Sequence, residues 1–312
     1  MILVRPTGFG HDPETAASNA FQRQMDGGEA GRRAAEEFDA LLDALRHCGI
    51  RTTVLDPVDP TAPNAVFPNN WFSTHADGRL VTYPMLTPSR RRERDPGLAA
   101  ALAREGFTVV ERIDLAAWEN DGRILEGTGS LVLDRTHRRA FACLSPRTTP
   151  GAVRDWCERM RYDPIAFTAT MDGTLTGQPV YHTNVVMSIG ARWAMLCLEA
   201  VPYPGERAEL VQELEATGRQ VVPISLEQMH RYVGNALELR GAAPSTVAPP
   251  TARPTDHCIF LSQTAYEALG PDQRMALERH AQLVPVPIPV IERAGGGSVR
   301  CMIAENFLPG GA

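Results

Sequence analysis

The sequence lacks the apolar run of roughly 20 residues that a membrane-spanning helix needs, although 43% of its residues are apolar. It also lacks a secretory signal. Met1 leads directly into the strand-like Ile2–Val4, with no basic start, apolar middle and small-residue cleavage site. These absences exclude a membrane protein and predict a cytoplasmic location.

A lysine-rich tract is also missing, and the formal net charge is -6. The one dense basic stretch, Arg90–Arg94, is interrupted by Glu93 and followed by Asp95. Proteins that bind nucleic acids or anionic membranes carry clustered positive charge on one surface. We therefore expect neither a nucleic acid nor a membrane as a partner.

The cysteines form no Cys-x-x-Cys pair. They are scattered along the chain at Cys48, Cys143, Cys157, Cys197, Cys258 and Cys301. In a reducing compartment such cysteines remain thiols. The sequence therefore predicts neither a disulfide framework nor a metal site.

A recurring order of strand, strand, helix and strand organises the chain. In its first copy a hairpin turn at Ala76–Arg79 joins two short apolar runs. Three copies are clear. The segments of the first are Trp71–His75, Leu80–Pro84, Gly97–Glu105 and Phe107–Ile113, and those of the second are Ser130–Asp134, Ala140–Leu144, Pro150–Arg161 and Ile165–Ala169. The segments of the third are Val185–Ile189, Trp193–Glu199, Glu206–Thr217 and Gln220–Ile224.

Two further copies are less regular. In the fourth, the proline-rich loop Ala242–Pro254 interrupts the hairpin, and the fifth uses both ends of the chain. Their segments are Leu237–Arg240, Cys258–Ser262, Pro271–His280 and Val284–Pro289, and then Cys301–Asn306, Ile2–Arg5, Glu29–Cys48 and Thr52–Leu55. Five such units predict an α/β protein closed into a pseudo-symmetric ring, with a plain two-layer α/β domain as the alternative.

Four stretches at the ends of predicted strands carry polar or glycine residues in unusual combinations. They are the asparagine-rich Pro63–Trp71, the acid followed by glycines in Leu125–Ser130, Tyr181–Asn184, and Gly295–Cys301. Each has an ordinary explanation by itself: asparagine satisfies turns, and histidine and cysteine are often structural. Together, Cys301, His182 and Glu126 lie on three separate units and suit the roles of nucleophile, acid–base and orienting group in acyl-type transfer at carbon.

These four stretches resemble the pentein, or guanidine-modifying, superfamily, and the likeness spans nearly the whole chain. The superfamily includes arginine deiminases, dimethylarginine dimethylaminohydrolases, amidinotransferases and a bacterial branch linked to citrulline utilisation. The resemblance implies a single catalytic domain over residues 1–312, folded as a five-bladed α/β propeller of ββαβ units. It also implies the catalytic set Glu126, His182 and Cys301.

Further matches to the dimethylarginine hydrolases are Pro63-x-x-Val66-Phe67, Pro88–Glu93 and Leu144–Thr148. In that group, the first arginine of the Ser-Arg-Arg motif and a later arginine bind the substrate's α-carboxylate. The resemblance carries these roles to Arg90 and Arg147. A planar guanidinium fork suits a carboxylate.

One departure concerns the substrate. Where the dimethylarginine hydrolases have carboxylates that hold a cationic guanidinium, this chain has Asn64, Asn69 and Asn70. Amides both donate and accept hydrogen bonds and therefore fit the neutral ureido group of citrulline, whereas a buried cation needs a counter-charge. The segments Pro68–Trp71 and His182–Asn184 are most similar to the citrulline-utilisation branch. A related succinylarginine dihydrolase also uses asparagine-containing loops while acting on a guanidinium, so arginine derivatives are alternative substrates.

The sequence thus predicts a cofactor-free cysteine hydrolase that converts citrulline to ornithine, ammonia and carbon dioxide. Cys301 would attack the ureido carbon, His182 would protonate the leaving nitrogen and then activate water, and Asn70 or Asn184 would polarise the ureido oxygen. The partner is a small amino acid. The segment Gly8–Gly28 is a candidate lid because of its glycine-rich, polar composition.

The sequence also agrees with other functions. An arginine deiminase or dihydrolase, or a dimethylarginine hydrolase, is the nearest alternative, followed by an amidinotransferase, which must exclude water. A non-catalytic propeller that binds a macromolecule belongs to a different class and would not need the Cys–His–acid set. A homodimer is compatible with these features, which leave the oligomeric state open.

Overall fold

The computed structural model describes residues 1–25, 27–241 and 256–310. The predicted proline-rich loop Ala242–Pro254 lies outside the described residues. None of the helices in these ranges combines the length and apolar character that crossing a bilayer requires.

The described strands are short, mostly three to five residues. In chain order they are β1 (Ile2–Val4), β2 (Thr53–Leu55), β3 (Phe72–Thr74), β4 (Arg79–Thr82), β5 (Glu111–Asp114), β6 (Val132–Asp134), β7 (Arg139–Cys143), β8 (Asp163–Phe167), β9 (Met187–Ile189), β10 (Trp193–Leu196), β11 (Gln220–Pro223), β12 (Leu237–Arg240), β13 (His257–Ser262) and β14 (Gln282–Val286).

The helices alternate with the strands. The α-helices are α1 (Pro13–Ala16), α2 (Gly27–His47), α3 (Pro88–Arg91), α4 (Leu98–Arg104), α5 (Gly127–Ser130), α6 (Pro150–Met160), α7 (Thr183–Val186), α8 (Pro204–Glu215), α9 (Leu226–His230), α10 (Gln263–Ala268) and α11 (Pro271–Glu278). Four 3₁₀ turns lie at Pro68–Asn70, Ala116–Asp121, Leu198–Ala200 and Val299–Met302, and a π-helical turn at Ile291–Gly295.

The strands form five small sheets, and the predicted repeat accounts for their topology. In four of the sheets the second strand is central: it is antiparallel to the first strand and parallel to the third. The parallel step needs a crossover, and a helix supplies it in each unit, for example α4 between β4 and β5. The fifth sheet pairs β1 with β2 in parallel, with α2 as its crossover.

The helix α6 shows how the sequence covers these sheets. Its buried residues, Ala152, Val153, Trp156, Cys157 and Met160, recur at helical spacing and face one side. They pack in one apolar cluster with residues of β4, β5 and β7. The helix ends one residue before the predicted Arg161, which adopts a left-handed conformation with φ 59°.

The structure corrects the predicted starts of several first strands. Ser130 and Val185 were predicted to begin strands, but they lie in α5 and α7, so those strands begin at Val132 and Met187. The chain after the glycines was predicted to be a strand at Cys301–Asn306. It is instead a 3₁₀ turn at Val299–Met302, followed by a single bridge from Ala304 to Ile2. Apolar runs this short do not distinguish one helical turn from a strand.

These turns place the candidate site. The turn Pro68–Asn70 lies against both α5 and Val299–Met302, and α5 also lies against α7. Side chains from distant parts of the chain therefore meet at one place. The part of the chain that the structure describes is a mixed α/β fold of five small sheets rather than one two-layer sheet. None of these described sheets is closed on itself, and the five-bladed ring stays a prediction.

Candidate active site

Glu126 and His182 each lie one residue ahead of a helical turn. Glu126 precedes α5 and His182 precedes α7, and the packing of these two turns brings the side chains together. The Nε2 atom of His182 lies 2.8 Å from Oε2 of Glu126, and both side chains are buried. The structure thus joins two of the three predicted catalytic residues from separate units.

Glu126 has two further partners. The backbone N–H of Leu86 donates to Oε1 over 3.0 Å, and Arg147 Nη1 donates to Oε2 over 3.4 Å. Burial alone would raise the pKa of Glu126, but the charge of Arg147 and the hydrogen bond from His182 outweigh it and hold the pKa well below its usual range. Glu126 is therefore a buried carboxylate with a fixed negative charge.

Burial lowers the pKa of His182 to about 4, although the hydrogen bond to Glu126 opposes this shift. His182 is therefore neutral near pH 7. Because the carboxylate of Glu126 can only accept a hydrogen bond, the proton of the neutral imidazole lies on Nε2. Nδ1 is then an acceptor with no partner among the described residues. A neutral imidazole with a free Nδ1 can take up a proton.

Gly129 allows the imidazole to sit this close to α5. A Cβ atom at Gly129 would lie 2.4 Å from Asn70 Nδ2 and 2.7 Å from His182 Nδ1. Gly127 is similarly restricted, with φ 49° and a Cβ position 2.3 Å from the carbonyl oxygen of Asn69. The glycines that follow Glu126 therefore allow His182 and the turn Pro68–Asn70 to pack closely against α5.

Cys301 lies in the turn Val299–Met302 and is 3% exposed. Two side-chain amides donate to its sulfur: Asn184 Nδ2 at 3.5 Å and Asn235 Nδ2 at 3.3 Å. No hydrogen bond among the described residues joins Cys301 to His182. Both residues instead line one cavity, so a ligand there would contact both.

That cavity is narrow in this structure, with a volume of about 10 Å³, which is roughly the space that one water molecule needs. Six of the predicted residues line it together with the glycine loop Gly295–Gly297. These six are Asn64, Asn70, Arg90, Arg147, His182 and Cys301. Among the described residues that line it, none is a carboxylate.

The predicted asparagines differ in their placement. Asn70 lines the cavity, where its Oδ1 accepts from Arg90 and its Nδ2 is buried with no partner in the described part of the chain. Asn64 also lines it, with Nδ2 donating to Asp12 over 2.9 Å and Oδ1 left without a partner. These two amides therefore leave one unpaired donor and one unpaired acceptor.

Asn69 and Asn184 do not line this cavity. Asn69 Nδ2 donates to Thr128 Oγ1 over 3.3 Å. Successive residues of a 3₁₀ turn point about 120° apart, so a turn that directs Asn70 into the cavity directs Asn69 away. Asn184 instead contacts the sulfur of Cys301 through its Nδ2.

The two predicted carboxylate-binding arginines are buried and already have partners. Arg90 Nε donates to Glu93 over 2.6 Å, and its Nη2 donates to Phe67 O and Asn70 Oδ1. Its Nη1 has no hydrogen bond to the described residues. Burial raises the pKa of Glu93 to about 7, against the opposing charge of Arg90. Arg147 donates from Nε and Nη2 to Ser18 Oγ.

The candidate lid, Gly8–Gly28, forms part of the cavity wall. Thr15, Asn19 and Gln22 line the cavity, and the carbonyl oxygen of Thr15 accepts from Arg147 over 2.9 Å. Asn19 Nδ2 and Gln22 Nε2 donate to the carbonyl oxygens of the glycine loop, at 3.1 and 2.8 Å. Residues of the described part of this segment therefore form one wall of the cavity.

Asn19, Gln22 and Asn235 were not predicted as site residues. The contacts of Asn19 and Gln22 reach across more than 270 positions of the chain, and no local pattern marks them. A signal for Asn235 does exist. It lies two residues ahead of β12, as Asn70 lies two residues ahead of β3.

The lowered pKa of His182 makes the stability of the protein depend on pH. In the unfolded chain His182 titrates near 6.5, so lowering the pH from 6.5 towards 4 protonates the unfolded state first and destabilises the native state. We expect the His182→Gln variant to lose about 1–2 kcal/mol less unfolding free energy than the wild type between pH 7 and pH 5. Urea unfolding at both pH values measures this difference. Equal losses in the two proteins would contradict the assignment of a buried neutral imidazole.

Comparison with known proteins identifies the family. The family model described as N,N dimethylarginine dimethylhydrolase, eukaryotic, matches residues 5–308. No curated protein sequence matches the chain.

Among solved structures, the chain resembles the substrate-bound N-terminal domain of ArgZ, an arginine dihydrolase from the ornithine–ammonia cycle in cyanobacteria. Identity is 13%, coverage is 98% of both chains, and the TM-score is 0.72. Full-length apo ArgZ is 14% identical with a TM-score of 0.73 over 99% of this chain, which spans only 41% of ArgZ. DDAH from Pseudomonas aeruginosa, in complex with citrulline, is 13% identical with a TM-score of 0.65 and 96% coverage of both chains.

At these identities the structural matches show the fold alone. The family model, in contrast, covers nearly the whole chain. The chain therefore belongs to the N,N-dimethylarginine dimethylhydrolase family of the pentein superfamily, a family of hydrolases that act on carbon–nitrogen bonds.

Proposed function

We propose that this chain is a cofactor-independent cysteine hydrolase that converts citrulline and water to ornithine, ammonia and carbon dioxide. The observation that carries the proposal is the lining of the cavity beside Cys301 and His182. It offers amides and two arginines, and among its described residues no carboxylate. The choice of citrulline over arginine depends on this charge distribution.

A guanidinium ion in this cavity would be buried without a counter-charge, at a cost of several kcal/mol. None of the nearby carboxylates is among the described residues that line the cavity. Glu126 binds His182 and Arg147, and Glu93 binds Arg90 through Oε1. Asp12 accepts from Asn64 and Ser89. A neutral ureido group avoids this cost.

The unpaired amide atoms match a ureido group. Asn70 Nδ2 can donate to the ureido oxygen, and Asn64 Oδ1 can accept from a ureido N–H. The α-carboxylate of the substrate would bind the free Nη1 of Arg90, and Arg147 would join it if its bonds to Thr15 and Ser18 open.

In the proposed reaction the thiol of Cys301 loses its proton to Nδ1 of His182, and the thiolate attacks the ureido carbon. The imidazolium then protonates the ornithine nitrogen as its bond to the ureido carbon breaks, which releases ornithine and leaves a carbamoyl group on Cys301 as a thiocarbamate. His182 next deprotonates a water molecule, which attacks the carbonyl carbon and displaces the sulfur as a thiolate that His182 reprotonates. The released carbamic acid decomposes to ammonia and carbon dioxide. Glu126 holds the Nε2 side of the ring and stabilises the imidazolium. His182 supplies every proton transfer, so this scheme uses no cofactor.

Arginine dihydrolase is the second candidate. The similarity to the N-terminal domain of ArgZ extends over 98% of this chain, and ArgZ is an arginine dihydrolase. The matching family model likewise keeps a dimethylarginine hydrolase as an alternative. An arginine deiminase is the remaining alternative of this kind. These enzymes would share the attack of Cys301 and differ in the charge of the group attacked.

The same proposal includes the organisation of the chain. Residues 1–312 would form one catalytic domain, with the five sheets arranged as blades of a pseudo-symmetric ring. Contacts between first strands of successive units support this arrangement, since β6 lies beside β9 and β9 beside β12. A cytoplasmic location and a homodimer belong to the proposal as expectations.

Replacing either reacting side chain should abolish turnover without unfolding the protein. We expect Cys301→Ala and His182→Ala to lower kcat for ornithine release by about a thousandfold or more, because each removes a group that no neighbour replaces. Cys48→Ala is the matched control, since Cys48 lies outside the cavity and should keep wild-type turnover. Wild-type turnover in either site variant would exclude the mechanism.

Charge at Asn70 should control the choice of substrate. Asn70→Asp replaces the free donor Nδ2 with a carboxylate oxygen, so we expect the ratio of kcat/KM for citrulline to that for arginine to fall about tenfold or more. Ornithine release from both substrates gives this ratio independently of the fraction of active enzyme. Asn69→Asp, outside the cavity, should leave the ratio unchanged. A wild type that prefers arginine would contradict the choice of citrulline.

A further inference from the structure

The side chain of Asn235 is fully buried and has a fixed orientation. Its Oδ1 accepts from the backbone N–H of Arg300 over 3.0 Å, and its Nδ2 donates to the carbonyl oxygen of Asn184 over 2.9 Å. A backbone N–H can only donate and a carbonyl oxygen can only accept. Rotating the amide by 180° would break both bonds, so the neighbours determine which end is Nδ2.

The second hydrogen of Nδ2 is directed at Cys301. Nδ2 lies 3.3 Å from Sγ, while Oδ1 lies 3.7 Å from it. In the thiol form the S–H group can donate to Oδ1. In the thiolate form the sulfur can only accept, and Nδ2 is the donor already in place.

Asn184 is a weaker second donor. Its Nδ2 lies 3.5 Å from the sulfur, and its Oδ1 is buried without a partner, so no neighbour fixes its amide in this orientation. Asn235 is the better-defined contact of the two.

The backbone holds Asn235 rigidly in this place. Its N–H donates to the carbonyl oxygen of Tyr232 over 2.8 Å. The preceding Gly234 lies so close to α7 that a Cβ atom there would be 2.3 Å from the carbonyl oxygen of Val185. The donor therefore reaches the sulfur from a preorganised position, which is where hydrogen bonds to a developing charge are most effective.

We propose that Asn235 is a further catalytic residue, whose side-chain amide binds the sulfur of Cys301, stabilises its thiolate and fixes its direction towards the cavity. The inference rests on the proposed role of Cys301 as nucleophile. It adds a protein group that acts on the sulfur before any substrate is present.

Other charged and titratable groups also surround the sulfur. Arg300 is the neighbour in sequence, but its guanidinium binds Ile303 O and Glu305. The charged and titratable groups that line the cavity with Cys301 are Arg90, Arg147, Tyr181 and His182. The hydroxyl of Tyr232 donates to the carbonyl oxygen of Glu292, and the carboxylate of Glu292 accepts from Ser298. Because a substitution at Asn235 leaves all of them in place, a comparison with the wild type isolates the amide.

The test is the rate of Cys301 alkylation by iodoacetamide as a function of pH, measured by peptide mass spectrometry on the full chain without substrate. Two variants are informative. Asn235→Ala removes the amide, and Asn235→Asp keeps the acceptor for the N–H of Arg300 but has no donor for sulfur. We expect the half-maximal pH to rise by about one unit in both, with a rate about tenfold lower at pH 7.

The control is Asn306→Ala, which removes an amide oxygen that accepts from Leu308 N away from the cavity and should keep the wild-type profile. Folded Asn235 variants with the wild-type profile would overturn the proposal. Since alkylation needs no substrate, this result is independent of whether citrulline is turned over.

A measurement on the wild type covers the case in which neither variant folds. With ¹⁵N-labelled asparagine, the side-chain amide resonance of Asn235 should shift with the same pH midpoint as Cys301 alkylation and stay constant in Cys301→Ser. A resonance that does not respond to pH in the wild type would overturn the proposal.

Discussion

The buried negative charge of Glu126 constrains the rest of the site. A carboxylate without partners at this depth would cost several kcal/mol, so its neighbours are arranged to compensate it. Leu86 donates from the end of the first hairpin, His182 from the third unit, and Arg147 from the loop after the second hairpin. Arg147 in turn binds Thr15 and Ser18 of the N-terminal segment that forms one wall of the cavity. One carboxylate therefore connects three units and this wall.

This use of Glu126 leaves little negative charge for a substrate. Its oxygens are taken by the imidazole, the guanidinium and a backbone N–H, and the described walls of the cavity provide amides instead of carboxylates. The same carboxylate keeps the imidazole proton on Nε2 and leaves Nδ1 as an acceptor. In the proposed function, the orientation of the base and the preference for a neutral group thus have a common origin.

The sequence predicted the repeated unit well, because hairpin turns and helical periodicity are local signals. It also predicted Glu126, His182 and Cys301 as a catalytic set, which stays a prediction; the structure places the first two in hydrogen-bond contact and the last two on one cavity. The sequence did not predict the helical turns that precede the first strands, since a segment of three or four residues is too short to show helical periodicity. Those turns determine that Asn70 faces the cavity and Asn69 does not.

Contacts between distant segments could not be predicted from local pattern. Asn19 and Gln22 meet the glycine loop only after the ends of the chain have folded together. A comparison between the units could have predicted Asn235 as a site residue, because Asn70, Asn184 and Asn235 each lie two or three residues ahead of the first strand of their unit. The covalent bond between Cys301 and the substrate carbon, on which the proposed mechanism depends, is tested most directly by acid-quenching the enzyme during turnover of citrulline and mapping its peptides by mass spectrometry. We expect a carbamoyl-type adduct on the Cys301 peptide that is absent in Cys301→Ser. Ornithine release with an unmodified Cys301, or an adduct on another residue, would rule out Cys301 as the nucleophile.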